Sequence, residues 1–388
     1  MISRISMVGV GVEVMALILI LSVFNGLEDF QKGIFKTYDP DIKIIQSDVS
    51  RIQLSPDKLA QIQRIPGIQH IHPVLEDQAL IRYGKKQLVV KFKGVDSTFL
   101  ASGRLKKQVV EGDYFLQEGD QSFGLVGIGV FLSMGMSFEN TLEPIEAWYP
   151  DHRSLKNFSI REESIRSNLF FPSGVLEVEQ NFDNQTIVVP LKWMNDLVGA
   201  EGKLSAYEIM VSPGMDERSV QDQLKKSLGA RYQVQTRDEQ HAMLLRAIKI
   251  EKLFVFLIMA FVMGIASFTL FYALSLLVIE KRKDLKTLLA LGISPKQLFN
   301  LFMWVGFLIS FSGACLGMLL GFALGWGQQR FGWIGLGIEN ALIDAYPIKM
   351  ELMDFIWTAL VVMMVTTLAS VFPARKAVQM TFRAKQGD

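Results

Sequence analysis

Four apolar runs, at residues 5–24, 253–279, 298–326 and 355–372, divide the sequence into membrane and non-membrane parts. Each is close to or above the ~20 residues a helix needs to cross a bilayer. Residues 26–251 instead alternate in short polar and apolar segments, with no run long enough to span, and are predicted to fold outside the membrane. The first part of that stretch predicts a strand at 41–46, a helix at 55–65 with Ser55 as cap and Pro56 in its first turn, and paired strands at 71–83 and 87–92 around Gly84-Lys85. The last part predicts a strand at 205–212, a helix at 215–228 opened by Asp216 and Glu217, and a strand at 231–236. Two βα-containing halves so far apart predict a split βαβ layer. The intervening residues 94–174 predict a strand-rich insertion, with strands at 123–129 and 142–149, followed by strands at 175–180 and 186–189. A polar segment at 150–172, ending in the exposed-looking Leu169-Phe170-Phe171, reads as a long loop or hairpin of the kind that tends to carry function.

The spans carry further signals. Glu13 lies inside the first, where an ionisable group costs about 2.5–3.5 kcal/mol, so it is expected to face protein, water or the interface, or to be protonated. The second is expected to continue a helix begun near Asp238, with Met243, Leu244, Ala247 and Ile250 on one face, that protrudes beyond the membrane. In the third, Gly313, Gly317, Gly321 and Gly325 recur every fourth residue, which bares one helix face for close packing. The fourth is expected to stop at Pro373.

Between the second and third spans, residues 281–297 combine Lys281, Arg282, Lys283 and Asp284 with Leu285, Leu288, Leu289 and Leu291 at helical spacing. Gly292 is placed to end that helix, and Ser294-Pro295 to start the next. A short amphipathic helix of this kind is either an interfacial anchor or a surface that a soluble partner pushes. Cations gather here, at Arg4 and at Arg375, Lys376, Arg383 and Lys385. The short 328–354 loop instead sets Arg330 and Lys349 against Glu339, Asp344, Glu351 and Asp354. The positive-inside rule therefore places both termini and the 281–297 loop in the cytoplasm and residues 26–251 outside.

Composition narrows the chemistry. A chain of 388 residues that is 50% hydrophobic and carries net charge +1 lacks the basic face of a nucleic-acid binder. Its single cysteine, Cys315, excludes an intrachain disulfide and a cysteine zinc site. His70 and His72 share one face of a strand, but His152 and His241 bear no metal-site spacing to them. No G-x-x-x-x-G-K-[ST] is present to hold ATP phosphates, and no nucleophile motif stands in a convincing context, so a non-catalytic subunit is expected. With no P-loop and no chain of charges through the spans, the pushed-surface reading of the 281–297 helix is favoured over the anchor.

One span, a large outside domain and three further spans is a layout that resembles the MacB/LolC/LolE/FtsX superfamily of ABC transporter permeases. Leu21-Ser22-Val23-Phe24-Asn25-Gly26-Leu27-Glu28 resembles the family's first-span exit, and Lys93-Gly94-Val95-Asp96 a motif of its outside domain. The stretch from Glu280-Lys281 to Leu291-Gly292 resembles its coupling loop, and Phe372-Pro373-Ala374-Arg375-Lys376-Ala377 its final exit. The resemblance covers nearly the whole chain. It implies a membrane α-helical fold of four transmembrane helices with a large periplasmic α+β domain, a porter-like split βαβ plus an inserted β-rich subdomain.

In function it implies mechanotransmission. ATP and Mg are bound by a separate cytoplasmic ABC ATPase subunit, a second permease subunit, the same or related, completes the assembly, and this chain carries no cofactor of its own. Within the superfamily the fit is to the LolC/LolE lipoprotein-releasing permeases of a Gram-negative inner membrane, which pass lipoproteins to a periplasmic chaperone. An FtsX-like signalling scaffold, or a MacB-like efflux permease with a separate ATPase, is the alternative. The implied lipoprotein contacts are Leu17, Leu21, Phe24, Phe254 and Phe261. The implied chaperone hook is the 150–172 segment with Arg153, Arg161, Arg166, Phe170 and Phe171. Glu13 departs from the small or apolar residue usual in the family.

Overall fold

The period-two segments pair into one mixed sheet of eleven strands. The computed structural model describes residues 2–47, 51–138, 143–150, 165–335 and 345–383. After the long helix α1 (Ile2–Tyr38), the chain runs β1 (Ile42–Gln46), α2 (Pro56–Gln63), β2 (Ile68–Tyr83), β3 (Lys86–Val95), α3 (Ser97–Ala101), β4 (Val109–Gly112), β5 (Gln117–Glu118), β6 (Gln121–Gly127) and α4 (Ile128–Met134). Next come β7 (Ile145–Pro150), β8 (Ile165–Leu176), α5 (Gln180–Gln185), β9 (Thr186–Pro190), α6 (Leu191–Val198), β10 (Ala206–Val211), α7 (Glu217–Leu228), β11 (Tyr232–Thr236) and α8 (Arg237–Gln240). Contacts divide the chain into two units, residues 32–242 and residues 1–31 with 243–388.

In the first unit, local chemistry sets the element ends. The Ser55 side chain accepts from Lys58 N at the start of α2, with Pro56 in the first turn. Asp216 does the same for α7, accepting from Arg218 N and Ser219 N. Between β2 and β3, Gly84 has φ +56° and Lys85 no positive φ, the pattern of a two-residue type II′ turn with glycine first.

The sheet runs β11-β1-β10-β2-β3-β9-β6-β8-β4. The first half of β2 pairs with β10, whereas its far half pairs with β3 and, through Leu80–Arg82, with β7. Because β7 also pairs with β8, the strands β2, β3, β9, β6, β8 and β7 close into a ring. The strands β11, β1, β10 and the first half of β2, with α2 and α7, form the expected split βαβ layer, and β2, 16 residues long, runs on from it into the strand-rich ring. Two strand expectations change. The one at 123–129 ends at Gly127 and turns into α4, and the one at 175–180 is the end of β8. The core packs Phe92 against Phe170 and Trp193, with ring centroids 5.7 and 5.2 Å away, among Ile42, Ile44, Ile81 and Ile145.

The other face of β1, β10, β2 and β3 carries charge. Lys43, Glu208 and His72 sit opposite one another in register, as do Glu76 and Lys93. Glu208 is fully buried and takes Lys93 at 2.6 Å and Arg104 at 3.3 Å. Glu76 takes Lys91 at 3.1 Å, Lys43 at 3.4 Å and Lys93 at 3.9 Å. Buried carboxylates are tolerated only when so paired. His72 Nδ1 and the Thr98 hydroxyl are hydrogen-bonded at 2.9 Å, and Nδ1 lies 3.8 Å from Asp96 Oδ1.

The second unit is helical: the first part of α1, then α9 (Ala242–Glu280), α10 (Arg282–Ala290), α11 (Pro295–Phe331) and α12 (Leu352–Arg383). Four of these, α1, α9, α11 and α12, are long and apolar enough to cross a membrane. The fourth does not stop at Pro373. A proline removes one N–H and leaves the rest of the ladder intact, and beyond it Ala374 and Ala377 pack among Val278, Leu285, Leu298 and Phe302, which holds the helix on to Arg383. Nor does α9 begin near Asp238. A capping box of Thr236 and Glu239 opens the separate α8, which ends at His241. Of the apolar residues near the start of α9, Met243 is 89% exposed and Leu244 and Ile250 are exposed, while Leu245 is buried.

Candidate coupling helix and its bundle

The helix α10 is rooted on one side and open on the other. Leu285 is buried with Val278 of α9, Leu298 and Phe302 of α11, and Ala374 and Ala377 of α12, and Leu288 and Ile293 pack against the same cluster. Leu291 is 79% exposed. Lys281, Arg282, Lys283 and Asp284 are exposed as well. Asp284 accepts from Lys281 at 3.1 Å, which raises the Lys281 pKa above its ordinary value. So Leu285, read from the sequence as a partner contact, is instead a root of the helix. The Leu289 side chain lies outside the described residues.

The turn that follows has a stated backbone geometry. Gly292 takes φ +88°, and Ile293 N bonds back to Leu288 O at 3.2 Å, the 6→1 bond of a Schellman stop. Two residues later Ser294 and Gln297 form a capping box around Pro295, so α11 starts without an orphaned first turn. Preceding α10, Lys281 N bonds to Leu277 O and Leu285 N to Lys281 O, which leaves almost no slack between α9 and α10.

Along α11, the glycines meet α1. A Cβ on Gly313 would lie 2.7 Å from Met7 O, one on Gly317 would meet Gly11 O and lie 2.8 Å from Val14 Cβ, and one on Gly321 would lie 3.2 Å from Ile18. Gly11 reciprocates, 3.2 Å from Gly313 O. The fourth, Gly325, faces Met350 instead. Two backbones therefore touch where a side chain would separate them.

At one end of this bundle lies a polar knot that reading the sequence did not find. Lys252 of α9 donates to Asn25 Oδ1 of α1 at 2.6 Å and to Asp354 Oδ1 of α12 at 3.1 Å. Asn25 Nδ2 closes the triangle on Asp354 Oδ2 at 2.6 Å. Asn25 and Asp354 are buried. The 345–351 segment straps across the same place: Lys349 N bonds to Ser22 O, Lys349 Nζ reaches Asp29 at 2.5 Å, and Gly26 meets Pro347 O so closely that no Cβ would fit. The available signal was position, since all three polar residues stand where an apolar run begins or ends.

The implied lipoprotein contacts separate. Leu17 and Leu21 are buried with Val10, Val14, Ile18 and Met263, so neither stands on the outer face of the helix as a contact for cargo; helix packing encloses both. Phe24 is half-buried, and Phe254 and Phe261 are exposed. Glu13 is half-buried. Of the implied hook, Arg153 and Arg161 lie outside the described residues. Phe170 is 0% exposed, because alternation on β8 turns it into the core, and it is corrected to a packing residue. Phe171, on the other face of β8, packs near Phe123, and Arg166 lies close to Gly199.

Comparison with known proteins agrees with this layout. Residues 256–382, which contain α10, its turn, α11 and most of α12, match the FtsX-like permease C-terminal family. The lipoprotein-releasing system transmembrane protein LolC of Neisseria meningitidis is 23% identical over 97% of this chain and 91% of its own length. LolE of Haemophilus influenzae is 21% identical over 98% of this chain and 92% of its own. The periplasmic region of MacB from Actinobacillus actinomycetemcomitans overlays 52% of this chain and 91% of its own at a TM-score of 0.36 and 10% identity, too loosely to decide anything. The chain carries an FtsX-like permease C-terminal domain and is similar, over nearly its whole length, to the LolC and LolE transmembrane proteins.

Proposed function

We propose that this chain is the permease subunit of a transporter that releases lipoproteins from the inner membrane toward the outer membrane, driven by ATP hydrolysis in a cytoplasmic partner. One observation carries this reading: α10 is fixed by Leu285 to three membrane helices while Arg282, Lys283 and Leu291 are exposed. Force applied to such a helix shifts α9, α11 and α12 together instead of bending a loop. In this reading α10 and both termini are cytoplasmic and residues 26–251 periplasmic. The partner ATPase holds ATP and Mg, and a second permease, the same or related, completes the assembly. The names of the LolC and LolE relatives support a lipoprotein as cargo. Phe24, Phe254 and Phe261 are the side chains left to meet it, and residues 151–164, with Arg153 and Arg161, remain the proposed hook for a periplasmic chaperone.

Depletion of the protein is expected to leave mature lipoproteins in the inner-membrane fraction. Lys283→Glu with Leu291→Glu is expected to lower coupled ATPase activity about tenfold, the loss of roughly 1.4 kcal/mol of partner binding. Unchanged sorting on depletion, together with intact coupling in the variant, defeats the proposal. Deleting residues 151–164 is expected to abolish chaperone binding and spare ATPase activity. The FtsX-like family match favours a second reading, a scaffold that activates an envelope enzyme. Depletion would then leave lipoproteins correctly sorted while that enzyme falls silent.

A further inference from the structure

Beside the Lys252 knot a recess of about 280 Å³ opens within the helical unit, lined by Leu21, Lys249, Lys252, Leu253, Phe256, Asp354 and Trp357. Its lining is graded. Lys249, Lys252, Leu253 and Phe256 follow one another down a single face of α9 at i, i+3, i+4 and i+7, so the cations stand at one end and the apolar side chains continue below them. Trp357 of α12 and Leu21 of α1 complete the apolar wall.

The charges are not equivalent. Lys252 spends its donors on Asn25 and on both Asp354 oxygens, so Asp354 neutralises it. Lys249 is exposed, and among the described residues no carboxylate forms an ion pair with it. One uncompensated cation therefore sits above an apolar slot, at the level where three membrane helices change from polar to apolar sequence, with an exposed tryptophan alongside. A bilayer interface is where Trp and Lys are enriched, and each cation near it draws anionic lipid by about 1 kcal/mol.

We propose that this recess binds a resident anionic glycerophospholipid of the bilayer, its phosphodiester on Lys249 and the head of one acyl chain along Leu253, Phe256 and Trp357. A single negative headgroup matches Lys249, the one cation among the described lining residues that is not paired with a carboxylate. A zwitterionic headgroup brings its own ammonium to Lys249 and loses that attraction. The lipid would fill the slot beside the Lys252–Asp354 pair and keep water from it. This reading requires only that the unit spans a membrane and does not rest on what the transporter carries.

The test uses the full chain in nanodiscs and the fluorescence of Trp357, isolated as the difference between the protein and its Trp357→Phe variant. Phosphatidylglycerol or phosphatidylcholine with brominated acyl chains is titrated into a phosphatidylcholine background. Brominated phosphatidylglycerol is expected to quench at a mole fraction about fivefold lower than brominated phosphatidylcholine. Lys249→Gln is expected to erase that preference and Lys249→Arg to keep it, while inorganic phosphate does not relieve the quenching. Equal quenching by the two lipids overturns the proposal, as does a preference that survives Lys249→Gln. Relief by inorganic phosphate would make the site one for phosphate alone. Relief by a triacylated lipopeptide, with no preference for phosphatidylglycerol, would assign the recess to cargo instead.

Discussion

The sheet unit and the helical unit both bury charge, and they do so at different levels of redundancy. On the sheet, Glu76 and Glu208 share Lys43, Lys91, Lys93 and Arg104, so Lys93 serves both carboxylates and each carboxylate has more than one cation within reach. In the bundle, the described partners are one ammonium, one carboxylate and one amide, Lys252, Asp354 and Asn25. Both arrangements offset the cost of taking ions out of water, but only the first keeps a partner for each carboxylate when one cation is lost. The periodicity of a strand explains the difference. Residues two apart share a face, so β2 and β3 bring His72, Glu76, Lys91 and Lys93 together at no extra cost in chain length. A membrane helix has few polar positions to spare, and its partners must come from other helices.

The largest expected effect breaks the single knot. Lys252→Met leaves the Asp354 carboxylate buried with only Asn25 beside it, and removal of one member of a buried pair costs about 3–5 kcal/mol. The thermal midpoint of the full chain in detergent should fall accordingly, and Lys252→Met with Asp354→Leu should recover most of the loss. A single variant as stable as the parent would mean that redundancy is not what separates the two units.

A second test acts on the sheet through pH. Burial alone would raise the Glu76 carboxyl, but Lys43, Lys93 and Lys91 outweigh it and bring the group from the usual 4.5 down to about 2. A folded-state pKa below the unfolded one adds stability that is complete above the unfolded value and disappears as pH falls through the folded one. Stability on the order of 3 kcal/mol should therefore drain away between about pH 4.5 and 2. Glu76→Gln should flatten that limb of the stability profile. An unchanged slope in the variant would show that other carboxylates carry the acid transition.

What was legible in advance follows the same division between local and distant causes. The α10 stop and α11 start were readable because Gly292, Ser294, Pro295 and Gln297 act within five residues of one another. The β2–β3 turn was readable at Gly84 for the same reason. The ring of strands was not, since it depends on β7 meeting β2 and β8 at once, a matter of three-dimensional register. Phe170 looked exposed within a polar segment, and only the phase of β8 turns it inward. Leu17 and Leu21 looked like lipoprotein contacts, and neighbouring helices cover them. Asp354 reads as the end of the 328–354 loop and Lys252 as a helix position just before the second span, and pairing across more than 100 positions leaves no local mark.

The smallest expected effect sharpens the comparison from inside the sheet unit. Asp183 is buried in α5, accepts from Val178 N at 2.9 Å, and has Glu177 and Glu179 as its charged neighbours. Burial pushes its carboxyl from 3.8 up to about 6, and the two glutamates add to the rise. Glu76 and Asp183 thus share a unit and a buried setting yet move in opposite directions, so the supply of cations decides the outcome, not the sheet. The sign reverses accordingly. A folded pKa above the unfolded one means that the folded chain binds the proton more tightly, and stability falls as pH rises from about 3.8 to 6. Asn at this position keeps an oxygen for Val178 N and carries no charge, so Asp183→Asn should stabilise the protein at neutral pH by on the order of 1 kcal/mol after solvent relaxation. The gain should vanish near pH 4, where Asp183 is already protonated. A gain that is the same at pH 4 and pH 7 would attribute it to packing, and a loss at pH 7 would mean that the ionised carboxylate has a partner strong enough to repay its burial.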